Sequence, residues 1–383
     1  MRDYGDAMKA LWPLEKGMIF LNHGSYGATP KAVLAEQARW RERLEAQPCR
    51  FINTEAPREI RAAAGRLATF LGARPEDVGF VENTTAGINA VLKSLRFEPG
   101  DEVVVTDHIY NAVNKTLGFV LAPQGARVVR AELGLPLVGD PVAAVMAAVT
   151  PSTRLILVDH VASISAVKLP VAEIAAAARS RGVPVLIDGA HAPGMVELDI
   201  PALGADWYVG NCHKWLCAPK GSAFVWAPEA RQEGLHPTVI SHDLDQGFTA
   251  EFDKIGTRDA TAWLSVPAAI AFHEEAGGAA LRARNHAVAV DAARALAARW
   301  GTEMGADEEQ FGSMATVRLP TDQPAERETS ERLKAWAWAT HRAEIHVMPF
   351  AGTFWTRISV QAYNTAEECA AVGPILEEGL AAL

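Results

Sequence analysis

Cysteine is scarce in this chain: Cys49, Cys212, Cys217 and Cys369 are the only four in 383 residues. They are too few and too scattered for a disulfide framework and read as reduced thiols. No apolar run approaches the ~18 residues that would span a bilayer. The first residues, MRDYGDAMKA, carry charge where a secretion signal needs its apolar core, so a cytoplasmic protein is expected. Basic residues are in deficit, with 36 Lys plus Arg against 46 Asp plus Glu and a formal net charge of −10. None gather into a phosphate-tracking stripe, which argues against nucleic acid as a partner. No Gly-x-Gly-x-x-Gly follows the first predicted strand and no P-loop lysine motif occurs, which disfavours a nucleotide-binding module. Repeats, low-complexity tracts and long linkers are missing too, and Asp307-Glu-Glu309 reads as a solvated loop.

What is present is an apolar half, 49% of positions, enough for one large domain and a smaller one, because single cores stop growing near roughly 250 to 300 residues. From Phe80 to Val225, short β-branched runs alternate with Ala-rich stretches, as in Glu102–Thr106, Arg154–Asp159 and Pro184–Asp188. Near-continuous apolar strands separated by helices indicate a largely parallel sheet covered on both faces. Pro170–Arg181 has the spacing of a crossover helix, with Gly182 as its stop. The last hundred residues change to a strand (Met314–Leu319), a helix (Arg327–Arg342), two strands (Ile345–Pro349 and Trp355–Gln361) and a final helix. That helix opens on the capping box Thr365-Ala-Glu-Glu368. The expected fold is α/β, a three-layer α/β/α large domain on a mainly parallel mixed sheet plus a small α+β C-terminal domain. The expected boundaries are an N-terminal segment over 1–45, a large domain over 46–270 and a small one over 271–383.

Ligands of open α/β sheets bind beyond the carboxyl ends of the strands. Three polar clusters fall there: Glu82-Asn-Thr-Thr-Ala-Gly87 after Val78–Val81, Asp188-Gly-Ala-His191, and Lys214 after the predicted strand Asp206–Gly210. Singly, each has an ordinary explanation as a helix cap, a turn aspartate or a surface lysine. Together they meet the demands of pyridoxal phosphate. Thr84, Thr85 and Ala86 at a helix N-terminus suit a phosphate, a strand-end carboxylate keeps a pyridine nitrogen protonated, and a desolvated lysine forms an imine. A zinc site from Cys212, His213 and Cys217 has the wrong spacing and lacks a fourth ligand, so no metal is expected.

Arg154-Leu-Ile-Leu-Val-Asp-His-Val-Ala-Ser163, Val185-Leu-Ile-Asp-Gly-Ala-His-Ala-Pro-Gly194 and Gly210-Asn-Cys-His-Lys-Trp215 together resemble the class V aminotransferase family of fold-type I pyridoxal phosphate enzymes. Leu21-Asn-His-Gly-Ser-Tyr-Gly-Ala-Thr-Pro30 and Gly256-Thr-Arg-Asp-Ala-Thr-Ala-Trp-Leu-Ser-Val-Pro267 look most like its isopenicillin N epimerase branch. The resemblance implies that Lys214 forms the Schiff base and shuttles the α-proton, that Asp188 pairs with the ring nitrogen, and that His191 bonds the phenolic oxygen. It further implies a phosphate held by Thr84, Thr85 and His213 with Asn211 nearby, and a homodimer in which Thr257 reaches the neighbouring subunit's phosphate. For ring stacking, the segment Thr106–Asn111 offers Tyr110, preferred over His108; Tyr110 is also the candidate proton donor opposite Lys214. Arg357 matches the carboxylate-binding strand, and Asn22 and His23 are expected at the substrate. Related cysteine desulfurases carry a nucleophilic cysteine shortly before that arginine. Here the loop reads Met348-Pro-Phe-Ala-Gly-Thr-Phe354, which disfavours a persulfide mechanism. The implied activity is epimerisation of an amino-acid-like small molecule, with transamination and C–S lyase chemistry as alternatives.

Overall fold

The computed structural model describes residues 3–382. Its large sheet has seven strands in the spatial order Val78–Val81, Ala223–Trp226, Trp207–Asn211, Val185–Gly189, Thr153–Asp159, Glu102–Thr106 and Arg127–Ala131. All neighbours run parallel except at Ala223–Trp226, which is antiparallel to both of its partners. The sheet is therefore mixed and mainly parallel, as expected.

Burial on two faces explains the unbroken apolar strands. Along Thr153–Asp159, Leu155 and Leu157 join one core, with Val103, Val105 and the helices Thr84–Ser94 and Asn111–Leu121. Ile156 and Val158 join the other, with Val104, Ile187 and the helices Ala56–Phe70 and Val171–Ser180. Alternate side chains of a strand point to opposite faces, and each fully buried Val, Leu or Ile contributes about 1.5 to 3 kcal/mol. The edge strand Arg127–Ala131 lacks this signature because its two arginines are exposed and only Ala131 is buried.

A second sheet, antiparallel, orders His346–Phe350, Thr353–Ser359 and Met314–Arg318. It packs with the helices Ala279–Trp300 and Arg327–His341, against which Ala366–Ala382 lies. The capping box is formed: Thr365 Oγ1 accepts from the Glu368 N–H at 3.2 Å and Glu368 Oε2 from the Thr365 N–H at 3.3 Å. The Arg357 strand ends at Ser359 rather than Gln361, because Gln361 opens a turn in which its N–H donates to Asn364 Oδ1. Near the N-terminus, Ile19–Phe20 pairs parallel with Ala343–Glu344, and Asn22 bridges to Ser359. This pairing, which no periodicity announces, lays Asn22–Ser25 across Arg357. Among the described residues no helix is long and apolar enough to cross a membrane.

Candidate active site

The carboxyl ends of the parallel strands and the start of helix Thr84–Ser94 enclose a pocket of about 330 Å³. Thr84, Thr85, Tyr110, Asp188, His191, Asn211, His213 and Lys214 all line it. Eight of the twelve predicted site residues therefore meet at one place, although they span 130 positions of sequence.

Lys214 follows strand Trp207–Asn211 on a loop whose backbone is closely held. The Cys212 N–H donates to the Ser222 carbonyl, the Ala218 N–H to the Cys212 carbonyl and the Cys217 N–H to the Lys214 carbonyl, each at 3.0 Å. Two glycines press on this loop. A Cβ on Gly27 (φ 71°) would lie 2.1 Å from the His213 carbonyl oxygen, and one on Gly194 (φ 86°) would lie 2.6 Å from that of Trp215. Only glycine fits either backbone conformation and either gap.

The lysine Nζ lies 3.0 Å from His191 Nε2. The Trp215 indole N–H, which can only donate, reaches His191 Nδ1 at 3.2 Å. In the neutral ring Nδ1 is therefore the acceptor and Nε2 carries the hydrogen, which points at the lysine nitrogen. Such a donor favours the uncharged amine. Burial and the charge of Arg357 push Lys214 the same way, down to about 7, against the opposing pull of Asp188 and Asp159. Burial also holds His191 well below the usual imidazole range.

At the phosphate end, Asn83 caps helix Thr84–Ser94 by accepting the Ala86 N–H at 2.9 Å. Asn211 Oδ1 reaches across from its strand to accept the Thr84 N–H, also at 2.9 Å. Two of the expected cradle donors thus serve the protein itself, and the residues of this turn that line the pocket include the hydroxyl-bearing Thr84 and Thr85. Thr84 Oγ1 is buried with no partner, the kind of orphan that an incoming oxygen relieves. His213 Nδ1 donates to the Ser222 carbonyl at 3.0 Å, leaving Nε2 as the nitrogen for the pocket. At the opposite end, Asp188 is 3% exposed and accepts the Ala190 N–H at 2.9 Å; burial raises it to about 6. These residues fit pyridoxal phosphate. An orphaned hydroxyl stands at a helix start, an acid at the sheet end and an amine tending to neutrality between them.

The remaining predicted residues lie elsewhere. His23 does not line the pocket. It is fully buried behind the lysine loop, where Nε2 donates to the Lys214 carbonyl at 3.0 Å and Nδ1 accepts from the Tyr363 hydroxyl at 2.8 Å. Burial lowers it to about 3, so it acts as a neutral brace. Asn22 is likewise behind the wall, donating to Glu344 Oε1 at 3.0 Å and accepting from Ser25 Oγ at 2.7 Å. Arg357 is buried behind Ser25 and Ser163, which do line the pocket. Its guanidinium donates to the Ser163 carbonyl, to Asn22 Oδ1 at 3.3 Å and to Ser25 Oγ at 3.4 Å. Among the described residues no carboxylate pairs with it, and its Nε has no partner. Thr257 is exposed and lines a separate cavity with Ile52 and His242. Tyr110 is 47% exposed at the pocket rim, whereas His108 is buried, bonded to Ser165 Oγ and the Gly134 carbonyl, each at 2.7 Å.

Sequence reasoning missed Asp159, which ends its strand beside Asp188 and lines the pocket. The rule that selected Asp188, an acid closing an apolar strand, would have found it. It also missed Tyr26 and Ser163 in the pocket wall, which no spacing marks. Cys212 and Cys217 are buried and do not line the pocket, and burial pushes the Cys217 thiol up to about 12. Among the described residues no group of three His, Cys, Asp or Glu could hold a metal.

Comparison with known proteins identifies the family and the fold. The model of the family "Aminotransferase class-V" matches residues 19–372. Isopenicillin N epimerase of Streptomyces clavuligerus is 33% identical over 377 residues, 93% of each chain. Putative L-cysteine desulfhydrase 1 of Oryza sativa subsp. japonica is 35% identical over 329 residues, 80% of this chain and 68% of the relative. Among solved structures, the cysteine desulfurase CsdA from Escherichia coli superposes with a TM-score of 0.80 at 20% identity, covering 100% of both chains, which gives the same fold. A pocketed lysine loop, an acid at the sheet end and a match over nearly the whole length lead to one conclusion: the chain belongs to the class V aminotransferase family.

Proposed function

We propose that this protein is a pyridoxal 5'-phosphate enzyme that takes the proton from the α-carbon of an amino acid or amino-acid derivative and returns it on the other face, like isopenicillin N epimerase. The observation that carries this reading is the convergence of Lys214, Asp188 and the Thr84–Thr85 helix start on one pocket. When bound, the cofactor supplies a carbonyl that captures an amino group and a ring that draws electrons from the α-carbon.

The chain's own residues supply the rest. Lys214 is the base at the α-carbon. An amine half-neutral near pH 7 takes the proton from one epimer and, in the reverse direction, gives one back on its own face, the condition that general acid–base catalysis favours. Asp188 balances the charge of the ring nitrogen, and the His191 Nε2–H donates to the phenolic oxygen. Thr84, Thr85 and His213 hold the phosphate, with Asn211 fixing the helix start. Ser25 and Ser163 are the part of the pocket wall through which Arg357 attracts a substrate carboxylate. Tyr110, at the open rim, is the donor on the face opposite Lys214. Thr257 is exposed on its own chain, and Tyr26, Val239 and Ile240 are exposed apolar residues at 76%, 51% and 53%. Both features support a homodimer in which Thr257 completes the partner subunit's phosphate site.

A C–S lyase is the second reading, favoured by the identity to L-cysteine desulfhydrases. It needs only β-elimination and no cysteine nucleophile, in keeping with a pocket that no cysteine lines. Incubating holoenzyme with a panel of L-amino acids in deuterated water separates the readings. The epimerase puts deuterium at the α-carbon and yields the D-form, whereas pyruvate and ammonia identify the lyase. Deuterium uptake with no D-form defeats the first reading.

One pH dependence follows from the lysine. An ordinary lysine is mostly protonated below about pH 10, but Lys214 is lowered to about 7. The rate at which apo-protein captures pyridoxal phosphate therefore climbs until about pH 7 and then levels off, as followed by stopped-flow absorbance. A rate still rising tenfold per unit at pH 9 contradicts the assignment.

A further inference from the structure

The reaction as described leaves one buried acid unused. Asp159 and Asp188 close neighbouring parallel strands and are register partners, so their side chains leave the same face of the sheet from strands about 5 Å apart. They are 4% and 3% exposed and both line the pocket. Asp188 is anchored by the Ala190 N–H, whereas Asp159 Oδ2 is buried with no partner.

Among the described residues, Lys214 is the cation whose charge acts on both carboxyls. Helix Thr84–Ser94 has no acidic residue in its first turn and presents hydroxyls. Beyond the flanking strand Glu102–Thr106, the Asp107 carboxylate is occupied by the N–H groups of Leu133 and Gly134 at 2.9 and 3.0 Å. His160 turns away, bonded to the Tyr208 hydroxyl at 3.0 Å, and His191 is held between Trp215 and Lys214. Two adjacent buried carboxyls facing one amine do not both ionise. Burial and the Asp188 charge keep Asp159 well above the usual carboxylate range.

We propose that Asp159 is a positioning residue that keeps its proton and donates it in a hydrogen bond to Asp188, holding that carboxylate ionised and aimed at the cofactor's ring nitrogen. The inference rests on the role given to Asp188 above.

Two measurements on full-length apo-protein test it without reference to turnover. Pyridoxal phosphate affinity is read by absorbance titration of Asp159→Asn, Asp159→Leu and Asp188→Asn. The amide of the first variant still donates, so its Kd stays within about threefold of wild type. Leucine cannot donate, and its Kd rises at least about tenfold, the scale of one charge-assisted hydrogen bond. Thermal unfolding from about pH 5 to pH 8 supplies the second readout. A folded-state pKa raised above the unfolded value means that wild type loses stability as pH rises between them. Asp159→Asn cannot titrate and escapes that loss, so its melting temperature gains on wild type by at least about 3 °C across the range. Equal affinity in the Asn and Leu variants, or a gap that does not change with pH, overturns the proposal. Undiminished affinity in Asp188→Asn instead defeats the cofactor reading itself, and the proposal with it.

Discussion

Lys214→Ala loses at least about 10³-fold in turnover, the scale at which a positioned general base contributes, while its melting temperature in the apo form stays close to wild type. Among the described residues the side chain makes a single hydrogen bond, to His191 Nε2, whereas the loop is held through backbone groups: the Lys214 carbonyl accepts from His23 Nε2 and from the Cys217 N–H. Truncation therefore removes chemistry and leaves the loop in place. Lys214→Arg does not rescue, because a guanidinium keeps its proton throughout the working range. Small primary amines added to the Ala variant recover part of the rate, since the vacated space opens into the pocket. If the Ala variant instead melts well below wild type and amines do nothing, the lysine is structural.

Arg357→Met is the second large effect, and it falls on binding. Removing one side of a buried charged contact costs about 2 to 5 kcal/mol, so KM for a substrate with a free α-carboxylate rises at least about tenfold and kcat changes much less. Arg357→Lys fails to restore it, because one ammonium does not reproduce the forked donors that reach the Ser163 carbonyl, Asn22 and Ser25. Burial lowers Arg357 to about 10, so it keeps its charge near neutrality. Its protein partners are all neutral: the Ser163 carbonyl, Asn22 and Ser25. A guanidinium so placed carries uncompensated charge toward a pocket built for an anionic substrate. If the Met variant keeps its KM and loses only thermal stability, Arg357 is a brace between the two sheets.

How much of this was legible in the sequence depended on whether a residue's role left a local signal. Strands Val78–Val81 and Glu102–Thr106 were readable to the residue because both of their faces are buried. Strand Arg127–Ala131 was not, because an edge strand with exposed arginines carries no apolar run. Asp188 announces itself at the end of an apolar strand and Lys214 in the loop that follows one, while Asp159 obeys the same rule inside the apolar run Arg154–Asp159. His23 illustrates a different limit. The motif Asn22-His-Gly-Ser25 marks a functional segment, but motif membership does not distinguish a side chain that meets substrate from one that props the loop behind it. The pairing of Ile19–Phe20 with Ala343–Glu344 decides that, and it joins positions more than 300 residues apart. Thr257 is the complementary case, since its predicted place lies on another copy of the chain.

Borohydride reduction asks whether one buried amine receives the cofactor. Purified protein saturated with pyridoxal phosphate is reduced, digested and mapped. A single pyridoxyl adduct is expected, on the peptide bearing Lys214, and it disappears in Lys214→Ala. An adduct on any other lysine, or none in protein that has bound the cofactor, contradicts it.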